Sequence, residues 1–452
     1  MQVFRSNFID DHSDLATAIT LTDDWVQHNL HVNHHPGVAV GIVSEGELIW
    51  GKGYGYADIE SKTPVTLDTR FRIASISKTF TGTAIMQLVQ AGKLQLDDPI
   101  EKYLAWFDLH YGDAPPITIR QCLTHTSGLP RDSASPIWQE DEFDTWEQII
   151  ETTKKRKPLL PPVKDFAYSN LAYALLGGVI LEVTGQTWNE YVQQHILDPL
   201  AMTNTLTAAR GGEDNIATGY LRPDNFHARQ AIPIIDSRGF DSAAGIVSSV
   251  SDLAKYAKFH MSTDNHALLS AYSLREIHRP HWTFTDFSGG YGLGVRVTRI
   301  GDWALTGHTG GYKGFLTYFG VSREYQAGFI VLTNALDSEP LNYTRKIVEL
   351  ILPELAKIRR KTNTANPAWD MYVGRYQSQW RDFNVVIRDN TLQAVSVAYP
   401  TEPPAKLEPT DEPHTFVVDV MGNPGQIVRF VMDANNQVTR MYTGNEYADR
   451  VK

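Results

Sequence analysis

Cysteine occurs once in 452 residues, as Cys122, so no disulfide can form within the chain and the fold must be carried by burial and hydrogen bonding. Its setting, Ile119-Arg120-Gln121-Cys122-Leu123, is apolar. That reads as a small buried side chain, because a nucleophilic thiolate needs an electropositive, accessible site. Basic residues are short as well: 41 Lys and Arg stand against 52 Asp and Glu, a net charge of −11. The balance opposes nucleic acid and anionic lipid as partners, and the longest basic run, Lys154-Lys155-Arg156-Lys157, reads as a solvated face. No apolar run approaches the roughly 18 residues of a membrane span. The first thirty residues carry Asp10, Asp11, Asp14, Asp23 and Asp24 where a signal peptide would be basic and then apolar. As written the chain reads as cytoplasmic; a periplasmic or extracellular protein trimmed of its leader would read the same. Internal repeats and low-complexity segments are lacking too.

What is present is a composition of 42% hydrophobic and 21% charged residues, typical of a folded chain, with length enough for two or three domains. Residues 12–31 predict an amphipathic helix, and 37–43 with 47–54 predict a hairpin around Ser44-Glu45-Gly46. Phe80, Ala84, Ile85, Leu88 and Val89 recur at helical spacing up to Gly92, a residue suited to ending a helix. Shorter periodic segments follow at 118–123 and 170–183. Another helix is expected to open at Ser251 as its cap, with Leu253, Tyr256, Ala257 and a packed His260 along one side. Strand character at 291–297, 304–306, 314–319 and 327–332 would complete a sheet begun near residue 38, and a helix at 341–357 closes that α+β unit. The polar, proline-containing stretch 359–368 predicts a linker between domains 1–358 and 369–452. Beyond Trp369, short alternating segments with turns at 388–390, 421–425 and 433–436 amount to about eight strands, enough for a small closed antiparallel barrel.

Ser75-Ile76-Ser77-Lys78 places a hydroxyl and an amine three residues apart where a helix begins, with Ser75 expected in its first turn. Such residues share a helix face, and the free N–H groups of a first turn favour negative charge beside them. This is the outline of an activated nucleophile. Such a serine also needs a base, a second proton-handling group and an oxyanion site. Tyr168-Ser169-Asn170, just before an apolar helix, offers the proton-handling groups. His308-Thr309-Gly310-Gly311 lies between strand-like segments, where paired glycines leave backbone N–H groups open to a ligand. Taken singly, each of these segments reads as a cap or a turn, and His125, in Thr124-His125-Thr126-Ser127-Gly128, reads as a satisfied structural histidine.

Taken together and in this order, the three segments resemble the Ser-x-x-Lys, Tyr-x-Asn and Lys/His-Thr-Gly motifs of the serine β-lactamase and penicillin-binding protein superfamily. The likeness is to its class C β-lactamase, DD-peptidase and family VIII esterase branch, and spans residues 20 to 355. Leu123-Thr124-His125-Thr126-Ser127-Gly128-Leu129, Pro199-Leu200-Ala201-Met202 and Gly245-Ile246-Val247-Ser248 support it. The resemblance implies an antiparallel sheet flanked by helices and a serine hydrolase working through a Ser75 acyl-enzyme. Lys78 and Tyr168 would share the proton, with either as the base. Asn170, His308, Thr309 and Gly310 would bind substrate, and the backbone N–H groups of Ser75 and Gly311 would hold the oxyanion. No metal or cofactor is called for. The tail resembles the lipocalin-like barrel appended to some members.

One departure from the pattern is His308, where most β-lactamases of the superfamily carry Lys. A lysine beside it would keep the imidazole mostly neutral, so a substrate carboxylate would find no fixed cation there. D-amino-acid peptides, β-lactams and short-chain esters remain open as substrates, and a homo-oligomer is open too. The alternative is a catalytically retired scaffold that binds a ligand in the barrel.

Overall fold

The computed structural model describes residues 3–133, 141–223, 229–264, 268–362, 367–388, 391–398, 404–420 and 423–451. The chain divides into two compact units, Met1–Leu355 and Ala356–Lys452. The first unit is built on an antiparallel sheet of ten strands. Nine lie on one path: β1 (Val3–Arg5), β2 (Gly37–Ser44), β3 (Glu47–Asp58), β4 (Trp282–Thr283), β5 (Gly289–Tyr291), β6 (Arg296–Ile300), β7 (Trp303–Tyr312), β8 (Phe315–Ser322) and β9 (Ala327–Thr333). Their order across the sheet is β1-β3-β2-β9-β8-β7-β6-β5-β4, and Thr63–Pro64 pairs with the end of β3. The two ends of the unit therefore meet at the β2–β9 pair, where Val40 lies opposite Val331.

Every residue of β2 is buried, as expected of a strand covered on both faces. The main helices are α1 (Ser13–Val32), α2 (Ser77–Gln90), α3 (Ile119–Leu123), α4 (Asn170–Thr184), α5 (Asp241–Ala244), α6 (Val250–Met261) and α7 (Pro340–Thr362). On one face α6 packs so closely that a Cβ at Gly41 would stand 2.5 Å from Val250 Cγ1. Val40 and its partner Lys52 point the other way, toward α1, where Asp23 accepts from Lys52 Nζ at 2.6 Å and from Tyr54 OH at 2.8 Å. The remaining helices form a layer around α2, which is buried along nearly its whole length.

The second unit is a closed barrel of eight strands in sequential order, the lipocalin-like architecture anticipated for the tail. They are β10 (Gly374–Gln377), β11 (Asp382–Arg388), β12 (Thr391–Ser396), β13 (Ala405–Pro409), β14 (Thr415–Val420), β15 (Asn423–Met432), β16 (Val438–Thr443) and β17 (Glu446–Arg450). Closure is made by Tyr376 opposite Arg450 and Gln377 opposite Asp449. The interior is filled by side chains, including Leu392, Phe416, Phe430 and Met441. Tyr372, from the turn Pro367–Tyr372, lies against Phe430 at 4.6 Å and Phe416 at 5.1 Å, and its hydroxyl meets His414 Nδ1 at 2.8 Å.

Several local expectations are corrected. The strand expected at 291–297 is two strands, because Gly292–Val295 leaves the sheet to press against α2: a Cβ on Gly82 would lie 2.3 Å from Leu293 O, and Gly294 sits at φ +85°. Helix α6 is capped by Ser249, whose hydroxyl accepts from Asp252 N, and not by Ser251. His308-Thr309-Gly310 lies inside the long strand β7. The expected linker is partly helical, since α7 runs on through Thr362 and Pro367 opens the next turn; residues 363–366 lie outside the described residues, as do Asp389, Asn390, Met421 and Gly422 of the expected turns.

The hydrophobic cluster around α2 and the cluster in the barrel share no residue. A chain ending at Thr362 is expected to fold without the barrel, with near-ultraviolet circular dichroism and a single cooperative melt. An insoluble or non-cooperative product would mean that the barrel completes the first core.

Candidate active site

Ser75 sits in a single 3-10 turn, Ala74–Ile76, that feeds into α2, and not in the α-helix itself as the motif suggested. Ala74 adopts φ +49° although it is not glycine, and is fully buried. A left-handed alanine is strained, and packing holds it so that Ser75, half-buried, turns out of the core. One residue earlier, Ile73 O lies so near β7 that a Cβ on Gly310 would stand 2.1 Å away. The same holds beyond Ser75, where a Cβ on Gly294 would be 2.6 Å from Lys78 O. Glycine is required at both places because backbone meets backbone.

Lys78, in the first turn of α2, is fully buried. Its Nζ lies 3.1 Å from Ser75 Oγ, 2.8 Å from Asn170 Oδ1 and 2.9 Å from Ala243 O of α5. All three partners are uncharged. Burial therefore drives the Lys78 pKa well below the ordinary lysine value; the Asp132 carboxylate opposes this shift and Arg131 adds to it. Asn170 opens α4, whose N-cap Ser169 accepts from Ala172 N at 3.0 Å. The other end of its amide donates to Asp132 Oδ1 at 2.7 Å, which fixes the amide with its oxygen toward Lys78.

Tyr168 OH donates to Ser75 Oγ at 2.9 Å. Burial raises its pKa, offset by the bond to Ser75 and by Arg131, so the phenol keeps its proton near neutral pH. The Tyr168 ring leans on His125, with centroids 4.2 Å apart, and Arg131 lies 5.3 Å over it. Behind these groups His125 Nε2 meets Tyr291 OH at 3.1 Å, and Tyr291 OH meets His308 Nε2 at 2.8 Å. His308 is only 4% exposed. Burial, ahead of the Lys78 charge, pushes its pKa down to about 3. It is thus neutral, with burial and not the neighbouring amine as the first cause.

The structure therefore brings together Ser75, Lys78, Tyr168 and Asn170, and sets His308 behind Tyr168, their ring centroids 6.1 Å apart. Strand β7 is paired to β6 only as far as Gly307 and to β8 through Tyr312, so residues 308–312 keep one open edge. Thr309, Gly310 and the exposed Gly311 lie on that stretch. Sequence reasoning did not single out Asp132, the Ala243 carbonyl or Tyr291. The first stands four residues after the Thr-Ser-Gly phrase, and Tyr291 heads Tyr291-Gly292-Leu293-Gly294, where closely spaced glycines are a sign of backbone contact. Cys122 is fully buried, with its thiol pKa raised by burial. Among the described residues, no group of three or more His, Cys, Asp or Glu is placed to hold a metal ion.

A family model described as Beta-lactamase matches residues 22–352. The chain belongs to the Beta-lactamase family. Protein flp of Staphylococcus aureus strain MW2 is 29% identical over 377 residues, covering 80% of this chain and 70% of that protein. The octameric penicillin-binding protein homologue from Pyrococcus abyssi superposes with a TM-score of 0.67 at 25% identity, over 95% of this chain and 99% of that one. A D-stereospecific amidohydrolase from Streptomyces sp. shares the fold, with a TM-score of 0.61 at 23% identity over 75% and 97% of the two chains. In this Beta-lactamase family member the three sequence motifs correspond to the turn before α2, the start of α4 and the open edge of β7.

Gly310→Ala is expected to cost about 1–3 kcal/mol, because the new methyl group overpacks against Ile73 O. The same substitution at exposed Gly311, where the nearest atom to a Cβ would be 3.5 Å away, should cost less. Urea midpoints of the two variants check the order, and equal values would mean that β7 does not abut the Ser75 turn as described.

Proposed function

We propose that this protein is a serine hydrolase that cleaves an amide or ester through an acyl-enzyme on Ser75, with Lys78 as the acylation base. The observation that carries the reading is the buried Lys78 amine, whose hydrogen-bond partners among the described residues are uncharged and which lies 3.1 Å from Ser75 Oγ. A free amine has two N–H groups for the two carbonyl-type acceptors, Asn170 Oδ1 and Ala243 O, and one lone pair for the Ser75 hydroxyl proton. Ser75 Oγ attacks the carbonyl carbon while its proton passes to Lys78 Nζ. Tyr168, a protonated phenol, then gives its proton to the leaving group and recovers one from the Lys78 ammonium, which returns the amine to its free form. In deacylation the roles reverse, with water in place of the leaving group. The backbone N–H groups of Ser75 and Gly311 are the proposed oxyanion site, with Thr309, Gly310 and Asn170 contacting substrate.

The neutral His308 offers a substrate carboxylate no fixed cation, which favours amides and neutral esters over carboxylate-bearing penicillins. Likeness to the Streptomyces D-stereospecific amidohydrolase makes D-amino-acid amides the first class to test. Retirement of the site with ligand binding in the barrel finds no support in a barrel interior packed with its own side chains. An oligomer is proposed by likeness to the octameric homologue, and light scattering would give the number of subunits.

Ser75→Ala is expected to lower kcat at least about 1000-fold on D-alanine p-nitroanilide or p-nitrophenyl acetate, and to abolish labelling by a fluorescent penicillin, with the melting temperature nearly unchanged. A variant retaining a few per cent of kcat would remove Ser75 from this role. Lys78→Arg keeps a positive charge but cannot supply a free base, so the loss should be of similar size; an active Lys78→Arg enzyme would show that only charge is needed. The base form of Lys78 grows as pH rises through its lowered pKa. Hence kcat/KM should rise with pH, level off well below the ordinary lysine range, and fall on the acid side. A profile that climbs only near pH 10 would mean that Lys78 is not depressed.

A further inference from the structure

The file of buried groups behind Tyr168 has a direction that its two ends impose. At one end Ser169 N–H donates to His125 Nδ1 at 3.0 Å, so that nitrogen is an acceptor and Nε2 carries the His125 proton. At the other end His308 Nδ1 faces Thr309 O at 2.5 Å, which requires the proton on Nδ1 and leaves Nε2 as an acceptor. Tyr291 stands between them and can satisfy both only one way: its oxygen accepts from His125 Nε2–H and its hydroxyl donates to His308 Nε2. Tyr173, the adjacent phenol, donates its own proton to Leu123 O at 2.6 Å and has none to give. His125, Tyr291 and His308 are all at least 96% buried, by exposures of 0%, 1% and 4%, so no solvent exchange loosens the arrangement.

Each end of this file belongs to a different wall of the site. His125 holds the turn before α4, through Ser169 N–H and through its own carbonyl, which accepts from Ala167 N at 2.8 Å, and its ring supports Tyr168. His308 is part of the open-edged stretch of β7. We propose that Tyr291 is a positioning residue, whose hydroxyl ties the Tyr168–Asn170 wall to the substrate-side strand by fixing His125 as the Nε2–H tautomer and His308 as the Nδ1–H tautomer. This rests on the serine hydrolase reading for its consequence in catalysis, but not for the tautomers themselves. A substrate lying along β7 with its reacting carbonyl at Ser75 spans both walls, and so feels their separation. A small ester touches the β7 edge less.

The test reads the tautomers first. Full-length protein labelled with 15N-histidine is examined by long-range 1H–15N correlation at pH 7, with His125→Gln and His308→Gln variants for assignment, in the parent and in Ser75→Ala. The expected result is a protonated Nδ1 and bare Nε2 on His308, the opposite on His125, and the same pattern in Ser75→Ala. Nε2–H on His308 would mean that Tyr291 gives its proton elsewhere, to Tyr173 O, and would overturn the inference without touching the role of Ser75. Tyr291→Phe removes one buried hydroxyl and leaves a donor and an acceptor unmatched. It should lower kcat on a D-amino-acid peptide amide about tenfold, with KM changed less and with a smaller loss on p-nitrophenyl acetate. Equal losses on both substrates would reduce Tyr291 to a packing residue. Activity surviving in Ser75→Ala, with the tautomers as expected, would sink the hydrolase mechanism and leave the wiring standing.

Discussion

Contact between backbones, closer than any side chain would allow, is the constraint on which the site depends. Gly310 lets β7 reach Ile73 O, and Gly82 with Gly294 lets the 292–295 turn lie against α2 near Lys78 O. These contacts join segments that are far apart in sequence into one rigid wall around Ser75. They also explain why Ala74 can be held at φ +49°: the turn carrying it is clamped on both sides, and the strain of a left-handed alanine, on the order of 1–2 kcal/mol, is offset by the packing that surrounds it.

Electrostatics follow from the same closeness. Lys78 is fully buried beneath α4 and α5, and among the described residues Asp132 is linked to its amine through the Asn170 amide. Two histidines nearby are also neutral through burial. Burial thus keeps these histidines neutral and moves the Lys78 amine toward its free-base form, a setting suited to proton exchange with a substrate. Exposed Arg131 lies 5.3 Å from the centre of the Tyr168 ring and buried Lys78 Nζ 5.0 Å from it.

The architecture was legible in the sequence where periodicity was long: α1, α2, α4 and β2 fall within a residue or two of expectation, β3 runs four residues past its expected end to Asp58, and the barrel's eight strands follow from its alternating tail. The errors have physical sources. Tyr291 to Val297 has strand propensity throughout, but Gly292 and Gly294 take the chain out of the sheet to meet α2, a tertiary contact that no local pattern reports. The helix opens at Val250, so Ser249 is the cap and Ser251 lies inside the first turn. Within the site, Ser75, Lys78, Tyr168 and Asn170 could be picked out because their spacing along a helix start is itself the signal. Asp132 and Tyr291 act across the fold: Asp132 meets Asn170, 38 residues on, and Tyr291 meets His125 and His308, 166 and 17 residues away.

The two separate hydrophobic clusters have a thermodynamic consequence. Folding enthalpy scales with the residues in a cooperative unit, about 0.7 kcal/mol per residue near 60 °C, and here each unit has a core of its own. Were the two units to unfold separately, the heat absorbed on denaturation would be apportioned between a large and a small transition, and a single midpoint would describe neither. A substitution in the barrel core, such as at Phe430, can lower one midpoint while the unit holding Ser75 remains native, so loss of structure and loss of turnover need not share a temperature.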